Sequence, residues 1–199
     1  LDVGCFNYVQ YKLAHEIGRL DLNHSGVDYG VDESTIPVGF TFRKCDLNHN
    51  SLPFEDDSFD LVVASHVIEH LTDPIRFFAE CVRVCKPGGQ IYIEAPSERS
   101  VLFPGMTIER EKMFCTSFYD DPTHMGRPWS PQAMIRLAAY YGCSSISADY
   151  YTSLLIRVLS PLLLPLTYWV RMGKLFEFVV WNTIGWAAYA VLQLSLIHI

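Results

Sequence analysis

The residues best suited to chemistry stand close together at Ser65, His66, Glu69 and His70. They follow a short apolar, β-branched run, Leu61–Ala64, which is typical of a strand buried on both faces of a parallel sheet. Polar side chains at the carboxyl end of such a strand are placed to contact a ligand. The spacing also fits the pattern H-x-x-E-H, in which two histidines bind zinc and the glutamate acts as a base. The segment therefore supports two hypotheses: a ligand-binding sheet edge, or a zinc hydrolase that uses His66, Glu69 and His70.

The zinc hypothesis requires both histidines on one regular helix, one turn apart. The sequence leaves little room for that helix, because a strand precedes the motif directly and Asp73-Pro74 starts a new helix. No third-ligand motif is evident downstream. The favoured interpretation is therefore a sheet edge that binds an organic ligand, and no metal ligand is predicted.

Two further candidate strands end in acidic residues. Val27–Val31 runs into Asp32, where a carboxylate can accept both hydrogen bonds from a ribose diol. Asp32 is chosen because it stands at the exit of the strand; Asp28 is the alternate, and a role of Asp32 as the cap of the next turn stays open. Phe40–Cys45 ends at Asp46, which would either accept the amino group of an adenine or form an Asx turn.

Strands and helices alternate through the first 150 residues. Leu1–Cys5 predicts a strand that ends in a glycine turn, and the apolar spacing of Tyr8–Ile17 predicts a helix. Asp73-Pro74 marks the start of a second helix, and Gln90–Glu94 is typical of the strand that follows it. This order predicts an α/β fold with a doubly wound, mostly parallel sheet and helices on both faces.

The composition excludes some partners. The formal net charge of −7 and the scattered basic residues argue against nucleic acid as a partner. The six cysteines form no C-x-x-C pair, and no secretory signal precedes them, so we expect reduced, mostly buried thiols. The chain starts without Met inside a predicted strand and stops inside an apolar run, so we expect a fragment that is truncated at both ends.

The composition becomes apolar beyond residue 150. Leu154–Val170 contains Pro161 and Pro165, which predicts two short helices or one kinked helix. Phe178–Ile199 has no charged side chain, and its length is close to the roughly 20 residues of a membrane span. Its basic and aromatic flanks favour an interfacial helix, while a span or a helical cap on the domain stays open. Residues 151–199 are thus predicted to be an apolar helical appendage. Contact with a membrane, a cap packed on the domain and core exposed by truncation stay open as its roles.

Several short motifs occur in order and at fitting distances: Leu1-Asp2-Val3-Gly4-Cys5, Gly30-Val31-Asp32, Leu52-Pro53-Phe54 with Asp57-Ser58-Phe59-Asp60, His66-Val67-Ile68-Glu69-His70-Leu71, and Arg83-Val84-Cys85-Lys86-Pro87-Gly88-Gly89. Together, over residues 1 to about 150, they closely resemble the class I S-adenosylmethionine-dependent methyltransferases of the type 11-like kind. The resemblance implies a Rossmann-like sheet, with S-adenosylmethionine across the ends of its first and fourth strands. The chain departs from the pattern in its glycine loop, where Phe6 and Tyr8 would crowd the methionine moiety. The family's seventh, antiparallel strand is not evident after Tyr150.

The resemblance also implies the residues that bind the cofactor. Asp2 and Gly4 would lie beside the amino-acid end of the cofactor, and Asp32 would bind the ribose hydroxyls. Asp46 and Leu47 would contact the adenine, and Ser65 and His66 would close the pocket over the sulfonium.

Methyl transfer is the activity that the resemblance implies. The reaction is an in-line displacement at a carbon activated by a cationic sulfur, so the protein mainly has to align donor and acceptor. A base is needed only if the acceptor is a hydroxyl or a similar acid. For that role we predict His124, in the lid-like loop Ser97–Ser130, with Tyr119 as its helper. The alternative, that His124 only pins the loop through Asp121, stays open.

The acceptor is not defined by the sequence. An apolar tail and an aromatic lid favour a lipid-like or amphipathic molecule, and a small metabolite or a saccharide stays open. A non-catalytic binding module that has lost its cofactor, because of Phe6 and Tyr8, is the alternative function. We expect a cytoplasmic protein, and peripheral membrane contact through residues 154–199 stays open.

Overall fold

The computed structural model describes residues 1–105 and 115–195 of the chain. Seven strands in these residues form one sheet: β1 Asp2–Val3, β2 Ser25–Asp28, β3 Thr41–Lys44, β4 Phe59–Ser65, β5 Cys85–Pro96, β6 Cys143–Tyr150 and β7 Ala187–Leu194. The α-helices are α1 Val9–Glu16, α2 Pro74–Val84, α3 Pro131–Tyr140, α4 Leu154–Trp169 and α5 Gly173–Ile184. Short 3-10 turns lie at Phe6–Tyr8, Glu33–Thr35, Ile68–His70, Glu98–Val101 and Phe118–Asp120.

The sheet has the order β3-β2-β1-β4-β5-β7-β6. The first five strands in this order are parallel, and β7 runs antiparallel to both of its neighbours. The chain reverses direction across the sheet between β1 and β4, which is where doubly wound folds place their ligands. The predicted doubly wound, mostly parallel α/β sheet is therefore confirmed.

The central strands and the helix starts follow from local sequence. Val62 and Ala64 of β4 are buried in the core, but Leu61 on the opposite face is 45 % exposed and Val63 is half-buried. The prediction that this strand is buried on both faces is therefore wrong. The side chain of Asp73 accepts a hydrogen bond from the Arg76 backbone N–H, with Pro74 in the first turn of α2. Ser130 caps α3 in the same way. All six cysteines lie in the described residues without disulfides; five are buried, as predicted, and Cys115 is half-buried.

Strand β7 corrects two predictions. The seventh strand is present after Tyr150, and residues 187–194 pair with β5 and β6 instead of extending a helical appendage. The cause of the error is composition: β7 is apolar except for Gln193, and the periodicity of such a run does not distinguish a strand from a membrane-contacting helix. Gly185, with a φ of +74° at the end of α5, is the local signal that the helix stops there. Residues 196–199 of the predicted segment lie outside the described residues.

The remainder of the apolar segment forms two helices. α4 is a single helix that contains both Pro161 and Pro165, and α5 packs against it. Across residues 1–105 and 115–195, no helix combines the length and the apolar character needed to cross a membrane.

Candidate cofactor and acceptor site

The carboxyl ends of β1, β2 and β4 surround a cavity of about 280 Å³, which we call the sheet-edge cavity. It is lined by Gly4, Phe6, Asp28, Tyr29, Cys45, Leu47, Asn48, His66, Val67, His70 and Leu71. A larger cavity of about 420 Å³ lies at the amino ends of the same strands, beside α1. Asp2 lines that second cavity and not the sheet edge, and burial raises the pKa of its carboxyl to about 7. The structure therefore does not bring Asp2 to the predicted cofactor position.

The turn after β1 requires a glycine. Gly4 has a φ of +74°, and a Cβ at this position would lie 2.4 Å from Cγ2 of Val67. Further along the turn, Asn7 and Tyr8 also have positive φ, although neither is a glycine. Tyr8 is buried and packs edge-on against Phe40, away from the cavity, so of the two side chains expected to crowd the cofactor only Phe6 lines the sheet-edge cavity.

The structure places Asp28, the alternate for the ribose, at the cavity, and Asp32 in the turn cap that the sequence left open. Asp28 is the last residue of β2 and lines the sheet-edge cavity, where its Oδ1 accepts a hydrogen bond from the Gly30 N–H at 2.9 Å. Asp32 lies beyond the strand and caps the next turn, accepting hydrogen bonds from the N–H and the hydroxyl of Ser34. Those bonds lower the pKa of Asp32. The structure thus does not place Asp32 at the cavity and favours the alternate, Asp28.

Of the two residues predicted to contact the adenine, Asp46 and Leu47, only Leu47 lines the sheet-edge cavity. Asp46 borders an adjoining groove that shares Tyr29 and Cys45 with that cavity. Asp46 forms the Asx turn that the sequence left open, accepting from the Asn48 N–H at 3.0 Å.

His66 lies between two carboxylates at the end of β4. Its Nδ1 is 3.2 Å from Oε1 of Glu69, and its Nε2 is 3.5 Å from Oε1 of Glu94. Burial of the ring opposes its charge, but hydrogen bonds and charge from the two carboxylates outweigh burial and raise the pKa of His66 to about 10. Ser65 lines neither cavity, and its hydroxyl, like that of Tyr92, donates to Oε2 of Glu94. Ser65 therefore supports the carboxylate that holds His66.

Another cavity of about 280 Å³, which we call the Trp-lined cavity, shares His66 and His70 with the sheet-edge cavity. The indoles of Trp181 and Trp186 stack at 4.4 Å with an interplanar angle of 11°, and the His66 ring lies 6.4 Å from Trp181. The remaining lining residues are Glu69, Cys115, Asp121, His124, Lys174 and Glu177. Two adjoining chambers with a common wall can hold a donor on one side and an acceptor on the other.

The structure brings His124 to this cavity but not Tyr119. Nδ1 of His124 lies 2.7 Å from the Phe118 carbonyl oxygen, and its backbone N–H donates to the Asp121 carbonyl. The alternative in which Asp121 holds His124 therefore operates through the backbone. Tyr119 is 75 % exposed, packs on Phe118 and lines neither cavity. Residues 106–114 of the predicted lid lie outside the described residues.

The helix that the zinc-hydrolase hypothesis requires is absent from the described residues. Ile68–His70 is one 3-10 turn, and His66 precedes it with a φ of +55°. Both ring nitrogens of His66 face carboxylates, so the ring is held as a cation and not as a zinc ligand. The hypothesis that His66, Glu69 and His70 form a hydrolase site is therefore wrong.

Residues 1–93 match a protein-family model described as a methyltransferase domain, in agreement with the resemblance to the class I S-adenosylmethionine-dependent methyltransferases. S-adenosylmethionine is the cofactor that this family implies.

Three curated relatives of the methyltransferase domain illustrate the likeness. The chain is 36 % identical over 109 residues to a probable S-adenosylmethionine-dependent methyltransferase of Mycolicibacterium smegmatis, covering 53 % of the chain and 40 % of the relative. It is 43 % identical over 75 residues to a phthiotriol/phenolphthiotriol dimycocerosates methyltransferase of Mycobacterium ulcerans, covering 36 % and 26 %. It is 24 % identical over 158 residues to a ubiquinone biosynthesis O-methyltransferase of Colwellia psychrerythraea, covering 75 % and 62 %. The chain thus spans less than two thirds of each relative.

Solved structures share the fold of the methyltransferase domain. An S-adenosylmethionine-dependent methyltransferase from Mesorhizobium loti superposes with a TM-score of 0.64 at 18 % identity, covering 96 % of this chain and 89 % of the other. One from Archaeoglobus fulgidus superposes with a TM-score of 0.63 at 22 % identity, covering 96 % and 83 %. At these identities the likeness establishes the fold alone.

Sequence reasoning missed several residues that line or support the two cavities of the methyltransferase domain. Glu94 lies on β5, and Trp181 and Glu177 lie on α5, a helix that the composition places in an appendage. The uncharged run Phe178–Ile199 is a sequence signal for Trp181, but it points to a membrane instead of a cavity.

Proposed function

We propose that the chain binds S-adenosylmethionine in the sheet-edge cavity and transfers its methyl group to an acceptor in the Trp-lined cavity. The observation that carries this proposal is the shared wall of the two cavities, His66 and His70, at the end of β4. A donor and an acceptor on either side of that wall would meet at one point. Alignment of this kind supplies a large part of the rate of an in-line displacement.

The sheet-edge cavity offers groups that fit the cofactor. The Asp28 carboxylate stands at the end of β2, where it can accept hydrogen bonds from a ribose diol. Leu47 and Val67 supply apolar contacts. The charged His66 with its two carboxylate partners, Glu69 and Glu94, carries a net charge of −1, which favours a cationic sulfonium nearby.

The Trp-lined cavity favours an acceptor with an apolar, flat part. The stacked indoles of Trp181 and Trp186 offer a large apolar surface, and the acidic residues Asp121 and Glu177 lie at the same cavity. We propose a lipid-like or other small amphipathic acceptor, in keeping with the names of the mycobacterial and ubiquinone-biosynthesis relatives. If the acceptor is a hydroxyl, the second ring nitrogen of His124 is available as a base.

Calorimetry and a transfer assay test the proposal together. We expect the chelator-treated chain to bind S-adenosylmethionine with micromolar affinity. In a separate assay without chelator, incubation of the chain with methyl-labelled cofactor and a cell extract should label the lipid-soluble fraction. Binding without any transfer would support the alternative, a non-catalytic binding module. Failure to bind at millimolar cofactor would overturn the proposed function.

Replacing Phe6 by Gly should tighten cofactor binding several-fold. The ring is 64 % exposed and lines the sheet-edge cavity at a position where the family has a glycine, so its removal enlarges the cavity at little cost to the core. Isothermal titration of Phe6→Gly against the parent chain measures the change. Phe6→Leu keeps most of the bulk and should bind like the parent; weaker binding by Phe6→Gly would show that the ring contacts the cofactor favourably.

We also propose a cytoplasmic protein that contacts the membrane surface through α4. One face of this helix exposes Leu154, Leu155, Val158, Leu162, Leu166 and Trp169. Two exposed cations, Arg157 and Arg171, lie within and just beyond the helix. An apolar face with basic neighbours fits a lipid surface that contains anionic headgroups.

Vesicle sedimentation tests the membrane contact. We expect the chain to sediment with vesicles of phosphatidylcholine and phosphatidylserine. Leu162→Asp should weaken this binding at least about tenfold, since burial of one leucine contributes roughly 1.5–3 kcal/mol. Leu20→Asp, at an exposed leucine outside α4, is the matched control and should bind like the parent. Equal sedimentation of both variants, or none by the parent chain, would overturn the contact.

A further inference from the structure

Three side chains at the Trp-lined cavity bring ligand atoms together. Glu69, His70 and His124 each place one candidate ligand atom within 4.8 Å of the others. Glu69 and His70 come from the turn after β4, and His124 comes from the loop after β5. A spacing of this size is compatible with a single ion bound between the three donors. His66 does not belong to this group.

Hydrogen bonds fix the tautomers of both histidines. Nδ1 of His124 lies 2.7 Å from the Phe118 carbonyl oxygen, and Nδ1 of His70 lies 3.2 Å from the Thr123 carbonyl oxygen. A carbonyl only accepts, and the Thr123 hydroxyl, 3.0 Å from the same Nδ1 of His70, donates its own hydrogen to Oδ1 of Asp121. Each Nδ1 therefore carries the hydrogen and each Nε2 keeps its lone pair. Histidines that bind metals are held in this way, with one nitrogen on a backbone carbonyl and the other on the ion.

The carboxylate of Glu69 supplies a separate, independent observation. Its side chain is 1 % exposed, and Oε1 is engaged by His66. Oε2 is fully buried and has no hydrogen-bond partner among the described residues. Buried carboxylate oxygens are normally paired with a donor or with a metal ion, and the Glu69 carboxylate contributes one oxygen to the cluster with the two histidines.

We propose that Glu69, His70 and His124 bind a divalent transition-metal ion. Two imidazoles and one carboxylate suit Zn²⁺, Co²⁺ or Mn²⁺ better than Mg²⁺, which prefers an all-oxygen shell. Three protein ligands leave coordination positions open, and the ligands line the Trp-lined cavity, so those positions face the space assigned to the acceptor. With this assignment, Nε2 of His124 binds the metal ion and does not act as the base that removes a proton from the acceptor.

The metal site narrows the class of acceptor, a step that rests on the proposed function. An ion with open positions would bind a hydroxyl, above all one of a vicinal pair such as a catechol or a diol, and would ease the loss of its proton to solvent. The resulting oxyanion attacks the methyl carbon of S-adenosylmethionine. The carbon–sulfur bond breaks with its electron pair going to sulfur, which leaves a methyl ether and S-adenosylhomocysteine. No further base is then required.

Metal titration of the whole chain, without cofactor or acceptor, tests the site. After chelator treatment we expect one Zn²⁺ or Co²⁺ per chain, with Co²⁺ giving the visible absorption bands of a site with nitrogen and oxygen ligands. Glu69→Gln and His124→Ala should each lower the affinity at least about 100-fold and abolish the Co²⁺ bands, because each removes one of three ligands. His15→Ala, which removes an exposed imidazole on α1, should bind like the parent.

Two outcomes would overturn the metal site, and both are independent of the methyltransferase function. The first is the absence of binding of Zn²⁺, Co²⁺ and Mn²⁺ by the parent chain at millimolar concentration. The second is parent-like affinity and Co²⁺ spectra in His124→Ala, checked by circular dichroism to be folded. S-adenosylmethionine binding in the presence of chelator is measured in parallel, so loss of the metal site and loss of cofactor binding are read separately.

Discussion

Replacing Leu192 by Asp should unfold the chain. Leu192 has no exposed surface and lies in β7 opposite Ile91 of β5. The substitution loses the leucine's packing and places a carboxylate between two layers of the core, a combined cost of about 5 kcal/mol or more. That cost is comparable to the total stability of a typical domain, roughly 5–15 kcal/mol. Circular dichroism and urea unfolding of the purified variant measure the effect.

Gln193 provides the matched control for this strand. It is the neighbouring residue of β7, its side chain is exposed, and Gln193→Asp adds the same charge at nearly the same place in the sequence. We expect this variant to lose at most about 1 kcal/mol. Leu192→Ala, which adds no charge, should lose about 2–5 kcal/mol and remain measurable. A folded Leu192→Asp variant with parent-like stability would contradict the placement of β7 inside the sheet.

Replacing Asp28 by Ala should weaken S-adenosylmethionine binding roughly 10- to 100-fold. Its carboxylate lines the sheet-edge cavity at the end of β2, and a hydrogen bond to a charged group contributes about 1.5–3 kcal/mol. Each 1.4 kcal/mol corresponds to about a tenfold change in affinity, which sets the expected range. Isothermal titration measures the affinity, and the thermal midpoint reports whether the loss of the Gly30 contact has disturbed the turn.

Asp32 is the control for Asp28. The two residues occupy equivalent places in the repeated sequence Gly-Val-Asp, but Asp32 caps a turn and does not line the cavity. Asp32→Ala should therefore bind the cofactor within about twofold of the parent, as expected for a residue without ligand contact. If Asp32→Ala lost affinity and Asp28→Ala kept it, the assignment of the ribose to Asp28 would be wrong.

The elements whose signals are local could be predicted from the sequence. A helix cap acts within three residues, so Asp73 with Pro74 and Ser130 with Pro131 located the starts of α2 and α3. The apolar run Leu61–Ala64 likewise predicted a central strand, which is β4. Its burial on both faces was not predicted correctly, because Leu61 is exposed on the face opposite Val62 and Ala64.

The end of β2 was not predictable because it depends on a partner strand. β2 stops at Asp28, where it pairs with Lys44 of β3, whereas the alternating pattern continues to Val31. Sequence periodicity does not show where pairing ends, and it therefore selected the wrong aspartate. The same limit explains the result for Asp46. Its Asx turn is a local feature that the sequence offered as an alternative, but the sequence does not show that Asp46 borders the adjoining groove instead of the sheet-edge cavity.

The Trp-lined cavity was missed because it depends on contacts between distant segments. Trp181 and Glu177 reach the site only because β7 re-enters the sheet and holds α5 beside the turn after β4. Nothing within the C-terminal apolar run distinguishes that arrangement from a membrane contact.

The position of β7 also has a consequence for how the chain acquires its fold during synthesis. Gln193 of β7 pairs with Gln90 of β5 and with Ser144 of β6, so one of the last described segments separates two strands that are made much earlier. Until β7 emerges from the ribosome, β5 and β6 each present an unpaired edge, which is a template for association with other chains. Sheet closure over so long a sequence separation is also slow. Nascent chains of this protein should therefore depend on chaperones most strongly in the interval before residues 187–194 are translated.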